Sequence, residues 1–246
     1  LKKLVAYITT GFPSKEFSID LGLTLKEAGV DILELGIPFS DPVADGPVIQ
    51  EANLKALQKG FKIKDLFKVS KELAPKIDTL WMGYFNPFYH KGLDLFIKEA
   101  KKANVSGFII PDLPFEEARS YKKEIEKNSL NLIDFIAPTD PAERIKKISK
   151  DAKKFIYLVA YAGITGSSKK EDLSKIVSLI KEETSTPVFV GFGVNKKSAK
   201  EKAKGVDGVI VGSAFVKILL DESLSSQEKL KEVFLLAKEI KDKINE

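Results

Sequence analysis

The stretch LELGIPFSDPVADGP (residues 33–47) sets Glu34 between two leucines and follows it with two aspartates and three prolines. In VDILELG (30–36), strict alternation sends Leu33 and Leu35 to one side of a strand and Ile32, Glu34 and Gly36 to the other. A carboxylate at a buried strand end loses hydration, which disfavours its charged form and raises its pKa toward the range useful for proton transfer near neutrality. Glu34 is therefore a candidate general acid/base; the competing reading is a glutamate paired with a lysine across the core. Asp41 and Asp45 follow in FSDPVADGP. Asp-Pro and Asp-Gly are also turn signals, so each aspartate taken alone reads equally well as a stabiliser of its own loop. With Glu34 eleven residues before it, Asp45 can face the same substrate, and the two acids can divide proton donation and charge stabilisation between them.

Three glycine-rich turns stand near the other end of the chain: GITG (163–166), GFGVN (191–195) and VGSAFV (211–216). Glycine leaves backbone N–H groups uncovered, and with the positive end of a short helix these suit a phosphate group. Any one of the three is also explained by a turn or by close packing. Ser213 is placed to cap the helix after the last strand and to offer its hydroxyl to the same anion. Tyr7, Met82, Tyr84, Tyr157 and Phe192 fall at strand ends, where they serve either as core filling or as the lining of a pocket for a flat apolar group. The single histidine, His90 in NPFYHKG, reads as a surface-loop residue.

The elements that must position these groups alternate from end to end. Strand candidates are 4–9, 30–36, 79–84, 105–110, 131–136, 155–160, 187–192 and 206–212, eight in all. Between them lie amphipathic helical patterns such as PSKEFSIDLGLTLKEAG, LDLFIKEAKKAN, FEEARSYKKEIEKN and KEDLSKIVSLIKEE. Strands alternating with helices imply βαβ units and a parallel sheet. AGVDILELG, ANVSGFIIP and KGVDGVIVG look like one such unit copied. Eight units close naturally into a (β/α)8 TIM barrel, with a doubly wound sheet as the alternative. The last segment, 226–246, carries Leu230, Val233, Phe234, Ala237, Ile240 and Ile244 on one helical stripe and closes the outer ring. No linker divides residues 1–246, so a single domain is expected.

Composition narrows the chemistry. The 246 residues contain no cysteine, which excludes disulfides and thiolate metal sites, and one histidine, which leaves no His-cluster metal site or Ser-His-Asp triad unless His90 carries it. No metal is expected. The net charge of +5 comes from 40 Lys and Arg against 35 Asp and Glu, which alternate along helices such as QEKLKEVFLLAKEIKDK. That is the pattern of solvated helix faces rather than of a nucleic-acid surface. No run approaches a membrane span or a signal peptide, and a cytoplasmic location is expected. The Lys/Glu richness, with one Met, leans toward a thermophilic source.

Taken in order, LELGIPFSDPVADGPVIQ, YFNPFYHKG, PDLPFEEA, GITG, GFGV and VGSA closely resemble the tryptophan synthase alpha subunits, over nearly the whole chain from Tyr7 onward. The first of these motifs is the most specific. The resemblance implies a (β/α)8 barrel that cleaves indole-3-glycerol phosphate to indole and glyceraldehyde 3-phosphate by a retro-aldol reaction. It matches Glu34 to the family's proton-shuttling glutamate and Asp45 to the aspartate that holds the indole N–H. It maps the phosphate site to Gly166, Gly193, Gly212 and Ser213, and the indole pocket to Ile49, Tyr84, Ile109, Tyr157, Thr165, Phe192 and Ile210. It implies a beta subunit as partner in an αββα heterotetramer, with Asp41, Pro42 and Asn86 on loops facing it. The pyridoxal phosphate belongs to that partner, so this chain is expected to carry no cofactor.

Two departures from the family pattern stand out. Most members carry a helical segment before the first strand, whereas only a few residues precede LVAYIT here, so that cover is expected to be trimmed or minimal, a matter of stability rather than chemistry. AYAGITG also has Ala160 and Tyr161 where many members have Ser-Arg, which bears on how this loop closes over substrate. Indole-glycerol phosphate synthases and pentose-phosphate epimerases are rival phosphate-binding barrels, but they need a catalytic lysine or metal-binding histidines at strand ends. The remaining alternatives are a stand-alone indole-3-glycerol phosphate lyase and a non-catalytic phosphate-binding barrel.

Overall fold

The structure, a computed structural model, describes residues 1–159 and 173–246. Its elements run β1 (Lys3–Thr9), α1 (Lys15–Glu27), β2 (Ile32–Gly36), α2 (Pro47–Gln58), α3 (Ile63–Leu73), β3 (Asp78–Met82), α4 (Phe85–Lys91), α5 (Leu93–Ala103), β4 (Gly107–Ile109), α6 (Phe115–Lys127), β5 (Asn131–Leu132), β6 (Asp134–Ile136), α7 (Ala142–Asp151), β7 (Ile156–Val159), α8 (Ser174–Glu183), β8 (Val188–Gly191), α9 (Ala199–Lys202), β9 (Gly208–Val211), α10 (Ser213–Leu220) and α11 (Ser226–Asn245). Every strand pairing is parallel, in the order β5-β4-β3-β2-β1-β9-β8-β7-β6. The two ends of that ladder, β5 and β6, are consecutive in the chain and separated only by Ile133, so the chain itself closes the ring into a TIM barrel.

One strand expected over 131–136 is thus two short ladders. β5 pairs with β4, β6 pairs with β7, and Ile133 between them gives its N–H to the Phe108 carbonyl while its side chain fills the barrel interior. The change of partner, not a break in the extended chain, divides it.

Alternation sorts the side chains into two layers. Val5, Ile32, Leu80, Ile109, Ile133, Phe155, Tyr157, Phe189 and Ile210 form the inner filling of the barrel. Their sequence neighbours, including Leu33, Leu35, Trp81 and Phe108, face outward and pack under the helices. Trp81 is the centre of that outer layer between Phe67, Phe96 and Phe108, with its indole N–H donated to Ser70 at 2.7 Å.

Side-chain caps fix the heads of α1 and α11. The Ser14 side chain accepts the Phe17 N–H at the head of α1, and Ser225 with Glu228 forms a capping box at the head of α11. α11 buries Val233, Ala237, Ile240 and Ile244, with Leu230 and Phe234 partly buried against the core, and lies between α1 and α10. Among the described residues no helix is long and apolar enough to cross a membrane.

Candidate active site

Glu34 is 1% exposed and lies on the same face of β2 as Ile32, which belongs to the inner filling, so its side chain points into the barrel. β1 and β2 are in register with Tyr7 beside Glu34. Among the described residues no lysine answers it, and its Oε1 has no hydrogen-bond partner. Burial, and then the negative charge of Asp45, push its carboxyl from 4.5 to about 8. A solitary ionised carboxylate there is costly, and the group holds its proton through neutral pH.

Asp45, on the segment leading from β2 into α2, is 9% exposed, and burial raises it from 3.8 to about 6. The Tyr84 phenol and the Asn53 side chain pull the other way, as donors to the ionised form. Tyr84 also accepts the Ala44 N–H at 3.0 Å, and Gln50 donates to the Asp45 carbonyl at 2.8 Å, so the aspartate's backbone is tied at both ends. Its Oδ2 and the Oδ1 of the buried Asn53 are left without partners among the described residues. The phenol of Tyr7 is held above its ordinary pKa by burial and then by Asp45, and that of Tyr157 by burial, Glu34 and Asp45. These mutual influences mark one shared space at the C-terminal ends of the strands.

Glycines make room for the rings. A Cβ at Gly36 would collide with the Tyr7 ring, and one at Gly191 with the Tyr157 ring, so both tyrosines lie flat across strand ends. Tyr157 stacks on Phe135 at 4.8 Å and meets Phe192 edge-on at 6.1 Å. Ile109 and Ile210 are buried in the inner layer with Met82 partly buried against it, and a Cβ at Gly212 would touch both Tyr7 and Ile49. The structure therefore brings Tyr7, Ile49, Met82, Ile109, Tyr157 and Ile210 to the barrel interior or its mouth, with Tyr84 beside Asp45. Phe192 is 38% exposed at the rim, and Thr165 lies outside the described residues.

The late turns sit over the same end. Gly193 follows β8 in a left-handed conformation, φ +66°, and Gly212 precedes α10. Ser213 does not cap that helix: Gly212 occupies the N-cap position, Ser213 is the first helical residue, and no side-chain cap bond forms. In the first turn of α10 the Gly212 carbonyl takes the Phe215 N–H at 2.9 Å, and the N–H groups of Ser213 and Ala214 have no acceptor among the described residues, which is the arrangement an anion can use. Gly166 lies outside the described residues.

On the rim, Asp41 and Asn86 are exposed while Pro42 is buried. Val43, 81% exposed, and Tyr89, 70% exposed, are apolar residues of the same two segments. His90 is exposed in the last turn of α4 rather than in a loop. A cavity of about 160 Å³ lies to one side, between the segments after β4 and β6. Its charged lining is already paired, Arg144 with Asp140 at 2.5 Å and Asp134 with Lys122 at 2.7 Å, and it includes neither Glu34 nor Asp45.

Asn53 and Lys202 were not singled out by their sequence context. Asn53 sits in an ordinary helical stretch, and its only signal is a polar residue on the buried side of α2. Lys202 stands in KKSAKEKAKG, indistinguishable from a solvated face, yet it is partly buried with its Nζ 2.6 Å from the Phe192 carbonyl.

The family described as "Tryptophan synthase alpha chain" matches residues 1–245. A "Tryptophan synthase alpha chain" from Wolinella succinogenes is 56% identical over 246 residues, covering 100% of this chain and 96% of the relative. One of the same description from Petrotoga mobilis is 39% identical, covering 98% and 95%. A ligand-free crystal structure of tryptophan synthase from M. tuberculosis superposes with a TM-score of 0.88 at 31% identity, over 100% of this chain and 94% of that one.

Proposed function

Since the chain belongs to the tryptophan synthase alpha chain family, and is thus a lyase that cleaves indole-3-glycerol phosphate in tryptophan biosynthesis, we propose that Glu34 moves the protons of that cleavage and Asp45 holds its developing positive charge. The observation that carries this reading is a pair of buried carboxyls at one barrel mouth, each with an oxygen left unpartnered among the described residues.

The chemistry follows from the bond to be broken. Cleavage between indole C3 and the glycerol chain requires C3 to become tetrahedral, so that the electrons of the breaking bond can flow into the ring. Glu34, protonated at neutral pH, gives its proton to C3. The ring nitrogen then carries positive charge, and Asp45, the more acidic of the two, accepts the N–H and stabilises that charge. Glu34, now ionised in a site that disfavours its charge, takes the proton of the glycerol hydroxyl. The C–C bond breaks to an aldehyde and indole, and Glu34 regains the form in which it began. Tyr7, Ile49, Met82, Tyr84, Ile109, Tyr157, Thr165, Phe192 and Ile210 form the indole pocket of this reading. The amides of Gly166, Gly193, Gly212 and Ser213, with the Ser213 hydroxyl, hold the phosphate.

The family implies a beta-subunit partner. The αββα heterotetramer, with pyridoxal phosphate only in the partner and no cofactor in this chain, belongs to the proposal, as do a cytoplasmic location and a single domain over 1–246. Asp41, Pro42 and Asn86 on the rim are the partner-facing residues, Pro42 by shaping the loop rather than by direct contact. The test is to follow indole release from indole-3-glycerol phosphate by the purified chain, alone and with a tryptophan synthase beta subunit. Weak activity that rises greatly with the partner is expected. Full activity alone would favour a stand-alone lyase, and none in either case a phosphate-binding barrel without catalysis.

A further inference from the structure

Phe192 and Gly193, where the chain leaves β8, are both left-handed, at φ +69° and +66°. That conformation is ordinary for glycine and unfavourable for phenylalanine, so something outside the turn must hold it. Two side chains one helical turn apart do so. Lys202 Nζ donates to the Phe192 carbonyl at 2.6 Å, and Ser198 Oγ donates to the Gly193 carbonyl at 3.0 Å. Ser198 precedes α9 and Lys202 ends it, and α9 packs outward against α11. In a trans peptide the C=O and N–H point in opposite directions. Drawing the Phe192 carbonyl toward Lys202 on α9 therefore turns the Gly193 N–H away from that helix, and the Ser198 bond does the same for Val194. Among the described residues nothing accepts from the Gly193 N–H. The ammonium is kept in place against burial that lowers its pKa, which argues that its bond to the carbonyl is worth that cost to the turn.

We propose that Lys202 is a positioning residue for the substrate's phosphate, acting through the Phe192–Gly193 peptide to hold the Gly193 amide toward the anion. This rests on the reading of Gly193, Gly212 and Ser213 as the phosphate cradle, and it adds to that cradle a residue that does not itself touch the anion.

The experiment titrates glycerol 3-phosphate into the ¹⁵N-labelled full chain, following backbone amides, with indole-3-glycerol phosphate kinetics alongside. In the unaltered chain the Gly193 amide moves on saturation. In Lys202→Met the affinity for glycerol 3-phosphate falls about tenfold, the Gly193 response at saturation shrinks, and KM rises by a similar factor while kcat changes less than about twofold. Lys202→Arg, whose guanidinium can donate to the same carbonyl, recovers most of the loss, which a general folding defect would not allow. Lys202→Met with unaltered affinity overturns the proposal. So does weakened binding with a full Gly193 response, since the ammonium would then act by its charge alone. If the unaltered chain shows no response at Gly193, Gly212 or Ser213, the cradle itself is wrong and the role of Lys202 goes with it.

Discussion

The barrel buries carboxylates at both of its ends and treats them in opposite ways. At the N-terminal end of the strands, Asp134 points outward from β6, 5% exposed, and accepts Lys122 Nζ at 2.7 Å; the same ammonium reaches the Asp151 side chain at 2.8 Å and its carbonyl at 2.9 Å. Burial works against the Lys122 charge, but the two aspartates outweigh it and hold the ammonium above its ordinary pKa. Asp31 at the same end takes the Leu4 N–H, Lys3 and Lys241, and despite burial is held below its ordinary value. At the C-terminal end, Glu34 and Asp45 have no cation among the described residues and keep oxygens without a partner there. A buried charge without a partner is among the costliest features a fold can retain. Asp134 and Asp31 are supplied with cations, and the part that no cation plays for Glu34 and Asp45 among the described residues is what the proposed function assigns to the substrate.

The strongest test of that contrast exchanges one residue at each end. Glu34→Gln should lower kcat for indole-3-glycerol phosphate cleavage by about 10³-fold, the scale of a lost general acid/base. It should also stabilise the fold, with a definite pH dependence. Glu34 titrates near 8 when folded and near 4.5 otherwise, so between these values the folded chain holds a proton that the unfolded chain has released, and stability falls as pH rises through the window. The gain from Glu34→Gln is thus absent below about pH 4.5 and full above about pH 8, on the order of 5 kcal/mol. Lys122→Met should do the reverse, costing about 3 kcal/mol by stranding Asp134 while changing kcat by less than roughly twofold. Denaturant melts at pH 4 and 9 with steady-state kinetics check both arms. Loss of stability in Glu34→Gln at pH 9 would break the comparison.

Asp45→Asn carries a smaller effect, about 10²-fold in kcat/KM. Asp45 must be ionised and Glu34 protonated, so the unaltered chain should show a bell with limbs near pH 6 and 8. The substitution should remove the acid limb. Because the Asp45 charge helps to raise Glu34, it should also move the basic limb below 8. A pH profile of kcat/KM reads both changes, and an acid limb that survives would assign it to another group.

The layout of the barrel was legible because alternation and helical spacing are local: Leu33 and Leu35 outside with Glu34 inside followed from VDILELG, and so did its burial. That no lysine among the described residues pairs with Glu34 was not legible, since cations are everywhere in the sequence and only the closed ring shows which of them lie near the mouth. The division at Ile133 depends on which strand lies alongside, a property of the partner and not of NLIDFI. Ser213 was misplaced by one residue because serine is a common cap, whereas here the glycine before it takes that position. Lys202 and Asn53 were invisible for the opposite reason: each has the composition of its surroundings, and only distance separates it from its neighbours.

The smallest predicted effect asks whether the mouth's polar contacts are tuned rather than merely packed. Tyr84 takes the Ala44 N–H and donates to Asp45, and its bond is one of two that lower the Asp45 pKa against burial. In Tyr84→Phe that opposition weakens, so the Asp45 carboxyl rises above 6 and the acid limb of kcat/KM should move up by about half a unit, with a loss of threefold to tenfold at pH 7, on the order of one hydrogen bond. Its counterpart in the outer layer is Ser70→Ala, which removes the acceptor of the Trp81 indole N–H at 2.7 Å. That change should cost about 1 kcal/mol of stability and leave both limbs where they were. If Tyr84→Phe lowers activity without moving the acid limb, the phenol serves the loop through Ala44 alone, and the tuning of Asp45 rests on Asn53.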